Sequence, residues 1–167
     1  KLLSEKHNKS DVLCCLAALE KERIICRYQD GKIDKRYTNQ ILFLDELTDS
    51  REESLFLQKK INESVIAVFG TGGIGTWMVN GLYQIGVGEI RITDPDIVEE
   101  SNFNRQLFFD SGDIGKFKVD VLKSKLKDAN IVPFKKMVRE GEDLEEIVSG
   151  CNFLVNCADS PSISDTS

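Results

Sequence analysis

No stretch of this sequence approaches the ~20 consecutive apolar residues that a membrane-spanning helix needs. The first ten residues, KLLSEKHNKS, lack the apolar centre and small-residue cleavage site of a secretory signal. These two absences predict a cytoplasmic protein without a membrane partner. An excess of positive charge is also missing: the formal net charge is −6, which argues against a broad electrostatic grip on nucleic acid. Cys-x-x-Cys pairs are absent. The five cysteines, Cys14, Cys15, Cys26, Cys151 and Cys157, are odd in number, so neither a disulfide framework nor a zinc site is expected inside the chain. Reduced, mostly buried thiols are expected instead. There is no internal repeat and no low-complexity tract.

What remains is an ordinary globular composition, 41% hydrophobic and 30% charged over 167 residues, enough for one domain or a domain and part of another. Ser10 and Asp11 are N-cap residues ahead of an apolar stretch, Val12–Leu19, that predicts a short helix. IICRYQ and KIDKRY flank Asp30-Gly31, a strong hairpin signal. A helix followed by a hairpin matches the tail of a winged-helix module. RYTNQILFLDEL follows, then a predicted helix through LFLQKKI.

From Ser64 the pattern changes. SVIAVF is a short, continuously apolar, β-branched run of the kind that forms a buried parallel strand. Gly70–Gly75 and a helix near Ile74–Ile85 come next, then a second strand, EIRIT, ending at Asp94. A loop with a helical stretch at about Ser101–Phe109 precedes a helix predicted over Lys116–Ala129. IVPFKKMV is a third strand, GEDLEEIVSG a short helix and NFLVNCA a fourth strand. Alternating strands and helices predict an α/β fold, a doubly wound, Rossmann-like and mostly parallel sheet. A partial winged-helix-like α+β segment precedes it. The expected division is 1–35 for that module, 36–62 for a linking segment and 63–167 for the α/β half-domain. The chain opens on Lys and closes on DSPSISDTS, so a piece of a longer protein is expected.

The chemistry concentrates at GTGGIG, residues 70–75. Between a strand and a helix, Gly70, Gly72, Gly73 and Gly75 would permit a tight turn and a close backbone approach to phosphate, with the helix dipole favouring the anion. Asp94, ending the next strand, is placed to accept hydrogen bonds from ribose hydroxyls. An NAD site would satisfy those features equally, and packing glycines remain the non-functional alternative. The segment D-P-D-I-V-E-E-S-N-F-N-R-Q, followed by G-K-F-K, favours a triphosphate. It brings Asn102, Arg105, Gln106 and Lys118 to the C-terminal edge of the sheet, where open α/β folds bind ligands. The alternative for Arg105 and Lys118 is a surface ion pair with Asp110, Asp113 or Asp120, which contributes little. Lys123, Lys125 and Lys127 read as a solvated helix face. Asp159, after the fourth strand, is a candidate Mg²⁺ ligand or an Asx-turn cap.

The order GTGGIG, D-P-D, S-N-F-N-R-Q, G-K-F-K and C-A-D resembles the adenylation domain of the ThiF/MoeB/HesA family, within the ubiquitin-activating-enzyme superfamily. The resemblance runs from about Arg36 to Asp159. It implies that Gly73 contacts a nucleotide through its backbone, that Asp94 holds the ribose, and that Asn102, Arg105, Gln106 and Lys118 surround the phosphates of ATP. It further implies that Asp159 serves Mg²⁺ and that Lys118, with Lys116 as understudy, is the family lysine. R-Y-T-N-Q at 36–40 resembles a segment whose arginine reaches the other subunit's site, implying a homodimer in which Arg36 acts in trans. Asn39 stands where a second arginine is usual.

The implied activity is ATP-dependent adenylation of the C-terminal carboxylate of a peptide or small ubiquitin-like protein, releasing pyrophosphate. RYTNQILFL and A-D-S-P resemble the MccB-like, peptide-modifying branch, in which a winged-helix-like module binds a leader peptide. Zinc-binding Cys-x-x-Cys pairs and a nucleophilic cysteine are expected only beyond Ser167, not at Cys151 or Cys157. A catalytically silent leader-peptide-binding relative and an NAD-dependent oxidoreductase remain as alternatives.

Overall fold

The computed structural model describes residues 8–22, 24–25, 34–138 and 142–158, the side chains of 142 and 143 excepted. The chain divides into two compact units, Lys1–Gln58 and Lys59–Ser167.

In the first unit, α1 spans Lys9–Lys21. Its cap is Asn8, whose side chain accepts the Ser10 N–H at 3.1 Å; Ser10 and Asp11, expected as caps, lie inside the helix. An asparagine two residues before Ser10 does the same job and lengthens the helix. No residue of α1 is buried. Residues 26–33, which include the expected Asp-Gly turn, lie outside the described residues. The stretch read as a second strand ends in a 3-10 turn, Lys35–Tyr37, because the Asp34 carboxylate caps the Arg36 N–H. α2 covers Thr38–Asp45 and α3 Arg51–Glu63. The buried Arg51 meets Asp45 at 2.5 Å, and Thr48 and Ser54 share a buried hydroxyl pair at 2.7 Å.

The second unit is the expected α/β layer. Four parallel strands, β1 Val65–Phe69, β2 Glu89–Thr93, β3 Ile131–Phe134 and β4 Phe153–Asn156, stand in the order β3-β2-β1-β4. Between them run α4 Gly73–Ile85, α5 Lys118–Lys125 and α6 Glu142–Val148. The core gathers Val68, Ile90 and Ile92 from the two inner strands with Val79 of α4 and Val119 and Leu122 of α5. Such burial is worth about 1.5–3 kcal/mol per large side chain.

α4 ends because Gly86 takes a left-handed φ of 85° and its N–H returns to Leu82 and Tyr83 carbonyls. α5 is shorter than the Lys116–Ala129 expected. At its start, Phe117 is drawn into an antiparallel bridge with Ile97, and at its end Leu126 leaves helical dihedrals. β3 stops at Phe134, four residues short of the strand read from IVPFKKMV.

Two further expectations change. Among the described cysteines, Cys14 and Cys15 are exposed and Cys151 and Cys157 half-buried, because a helix with no buried face cannot bury its thiols. Lys125 is not simply solvated: its ammonium bridges Asp110 and Asp113, the latter at 2.6 Å. Among the described residues, no helix is long and apolar enough to cross a membrane.

Candidate functional site

Parallel strands leave the sheet at one edge, and here that edge carries a cleft of about 710 Å³ in the second unit. Gly70, Gly72, Gly73, Asp94, Asn102, Arg105, Gln106 and Lys118, all singled out in the sequence, line it. Gly75 sits behind the wall, Arg36 belongs to the first unit, and Asp159 lies outside the described residues.

The loop glycines separate into two pairs. Gly70 has φ +85°, and a Cβ there would stand 2.8 Å from the Ala158 Cα; one on Gly75 would stand 2.0 Å from the Gly70 carbonyl oxygen. Those two are demanded by the β1–α4 turn itself. A Cβ on Gly72 would meet nothing within 4 Å, and one on Gly73 would meet only Arg105, at 3.6 Å. Packing does not require these two, and both border the cleft. α4 has no side-chain cap, so the orphan amides at its start are available to an anion.

Thr71 anchors the turn to β2. Its N–H and its hydroxyl both donate to Asp94 Oδ2, at 2.6 and 2.8 Å. The Asp96 N–H donates to Asp94 Oδ1 at 2.9 Å. From Asp96 the network reaches α5: Lys118 N–H donates to the Asp96 carbonyl at 3.1 Å, and Lys118 Nζ to Asp96 Oδ2 at 2.9 Å. Lys118 is buried, 5% exposed, whereas the Asp96 side chain is 63% exposed. This pair replaces the ion pairs with Asp110, Asp113 or Asp120 considered for Lys118. An ammonium has three donors, and the described contacts use one. Lys116 points elsewhere, pairing with Asp113 at 3.2 Å.

The loop between β2 and α5 is fixed from both sides. Asn102 Oδ1 accepts the Glu99 N–H at 3.0 Å, closing a capping box over the 3-10 turn Glu100–Asn102. The fully buried Thr76 accepts the Leu107 N–H at 3.1 Å, fastening that loop to α4. Arg105 uses Nη1 on the Ser101 carbonyl at 2.7 Å and on Asn104 at 3.1 Å. Its Nε and Nη2 donors have no acceptor among the described residues. Gln106 is 7% exposed, and its Oε1 has no hydrogen-bond partner among the described residues. An amide's oxygen and nitrogen exchange places by a simple flip, so Gln106 can present either to a ligand.

The other end of the loop is held by Lys125. Its hydrogen bonds keep the carboxyls of Asp110 and Asp113 below the usual carboxylate range, and those two carboxylates raise the lysine. Burial pushes the thiols of Cys157, beside the cleft, and Cys151 up. Neither has the depressed pKa that marks a reactive nucleophile.

Thr71, Thr76, Asp96 and Lys136 are contributors that the sequence did not flag. Lys136 lines the cleft and its carbonyl accepts the Thr93 hydroxyl at 2.7 Å. The available signal was positional: Thr71, Asp96 and Lys136 lie two or three residues past the C-terminal end of a strand, and Thr76 lies in the first turns of α4. As a whole the cleft sets Arg105, Lys118 and the α4 amides against the carboxylates of Asp94 and Asp96. That arrangement offers donors to a polyanion and carboxylate acceptors to hydroxyls.

Known proteins resemble this chain in sequence and in fold. Adenylyltransferase and sulfurtransferase UBA4 of Lodderomyces elongisporus is 36% identical over 115 residues, covering 66% of this chain and 25% of that protein. The crystal structure of PaaA superposes with a TM-score of 0.77 at 26% identity, covering 92% of this chain and 51% of PaaA. Escherichia coli MccB, solved with ATP, superposes at 0.67 with 24% identity over 87% of this chain and 44% of MccB. The chain thus spans a quarter of that curated relative and about half of each solved structure. The ThiF family model matches residues 37–165, from the start of α2 through β4 and beyond, and this chain belongs to the ThiF family.

Proposed function

We propose that the cleft binds ATP and that the chain is the nucleotide-binding part of an adenylating enzyme. Its substrate would be the C-terminal carboxylate of a peptide or small ubiquitin-like protein. The observation carrying this reading is the convergence of Lys118, Arg105 and the uncapped start of α4 on one cleft. In the proposed reaction a carboxylate oxygen attacks the α-phosphorus, the bond to the β-phosphate oxygen breaks, and pyrophosphate leaves. Both reactants are anionic, so catalysis consists of neutralising and aligning them.

Each side chain has a role in that step. Arg105 and Lys118 offset the phosphate charge, Gly72 and Gly73 let the chain approach, and Asp94 takes the ribose. Asn102 and Gln106 supply amides to the phosphates. An oxygen-donor set suits Mg²⁺: the exposed carboxylate of Asp96 fits it, and Asp159 is the ligand inferred from sequence. The metal would offset phosphate charge. The names of the relatives support adenylation, and the structure of MccB with ATP supports the nucleotide. Homodimerisation, with Arg36 acting on a second copy's cleft, belongs to the same proposal, as does a cytoplasmic location. Arg36 is exposed, with its guanidinium 5.5 Å from the Tyr37 ring centroid.

Exchange of labelled pyrophosphate into ATP tests the reading. With a cognate peptide, Arg105→Ala or Lys118→Ala should lower exchange at least 100-fold, about 2.7 kcal/mol or more of transition-state stabilisation, while leaving the circular dichroism spectrum unchanged. Undiminished exchange in either variant would remove the assignment.

A further inference from the structure

We infer that Thr71 is a positioning residue that turns the Asp94 carboxylate so that it accepts one ribose hydroxyl and not two. The inference rests on the nucleotide reading above and adds the way in which the sugar is held.

Thr71 is fully buried. A hydroxyl is costly to bury unless it is paired, and this one has a single described partner, Asp94 Oδ2 at 2.8 Å. An ionised carboxylate only accepts, so Thr71 donates. Its backbone N–H donates to the same oxygen at 2.6 Å, and the Asp96 N–H takes one site on Oδ1 at 2.9 Å. A carboxylate offers about four acceptor sites. Both sites of Oδ2 and one of Oδ1 are occupied by the protein.

One acceptor is left on a side chain that is 6% exposed and borders the cleft. An unrestrained carboxylate would rotate freely about its last torsion, which is soft, and would hold no oxygen in a fixed direction toward a ribose. The two bonds from Thr71 forbid that rotation. The glycine loop thereby sets the sugar contact as well as the phosphate contact, through the one residue of GTGGIG that is neither glycine nor apolar.

The test is calorimetric titration of the full chain with the magnesium complexes of ATP, 2′-deoxy-ATP and 3′-deoxy-ATP. In the wild-type protein, removal of one hydroxyl should weaken binding about tenfold, the size of one charge-assisted hydrogen bond. Removal of the other should leave it nearly unchanged. Thr71→Val should raise the Kd for ATP by about the same factor. It should barely alter the Kd for the deoxynucleotide that lacks the held hydroxyl, and Thr71→Ser should restore wild-type behaviour.

Equal losses for the two deoxynucleotides in the wild-type protein would overturn the single-hydroxyl geometry, whether or not the valine variant folds. Equal weakening of all three ligands by Thr71→Val, or no weakening, would overturn the positioning role. Wild-type protein that binds none of the three would overturn the nucleotide reading itself, and this inference with it. Wild-type protein that binds ATP but does not respond to Thr71→Val would overturn this inference alone.

Discussion

At the scale of single residues, glycine content alone does not distinguish structure from function at GTGGIG; the space around each glycine does. Gly75→Ala would drive a methyl into the Gly70 carbonyl at 2.0 Å, and overpacking against backbone should cost about 3 kcal/mol or more. Gly72→Ala meets no protein atom within 4 Å and should change stability by less than ~1 kcal/mol. Its methyl would occupy the cleft, so ATP affinity should still fall at least about tenfold, as for a misplaced phosphate contact. Thermal denaturation and nucleotide titration of the two variants separate these effects. An equally destabilised pair would contradict the division of the loop.

At the scale of elements, the Lys125 bridge decides how firmly the loop before α5 is held. The carboxyls of Asp110 and Asp113 are lowered by their bonds to Lys125. Their contribution is therefore complete above the unfolded carboxylate value of about 4 and is lost as pH falls through the lower folded values. Lys125 is raised by the same bonds, Asp110 first. That part is complete below the unfolded lysine value of about 10.4 and is lost as pH rises through the folded one. Lys125→Met should lower the melting temperature at about pH 7, and the difference from wild type should vanish toward about pH 2. A difference that persists undiminished in acid would show that the lysine acts through packing alone.

The same scale shows what was legible in the sequence. SVIAVF, GTGGIG and EIRIT yielded β1, α4 and β2 because continuous apolar β-branched runs and a glycine turn are local signals. The order Asn102, Arg105, Gln106, Lys118 brought the polar cluster to the right edge. The start of α5 was missed because Phe117 answers to Ile97, a partner distant in sequence. Thr71 and Thr76 were missed for a related reason. A threonine in a glycine loop or early in a helix has no fixed local meaning, and these acquire one only from Asp94 and Leu107. The exposed cysteines of α1 were misjudged because an apolar stretch of helix says nothing about whether a neighbour covers it.

At the scale of the whole molecule, the described strands stand in the order β3-β2-β1-β4, with the cleft at their C-terminal ends. The cleft is a polar recess that gathers Arg105 and Lys118 beside the uncapped start of α4. The proposed binding of ATP there meets its most direct test in one calorimetric comparison of Mg-ATP and NAD on the wild-type chain and on Lys118→Ala. The account predicts saturable Mg-ATP binding that the alanine variant loses, and no NAD binding by either protein. NAD binding without ATP binding would contradict it.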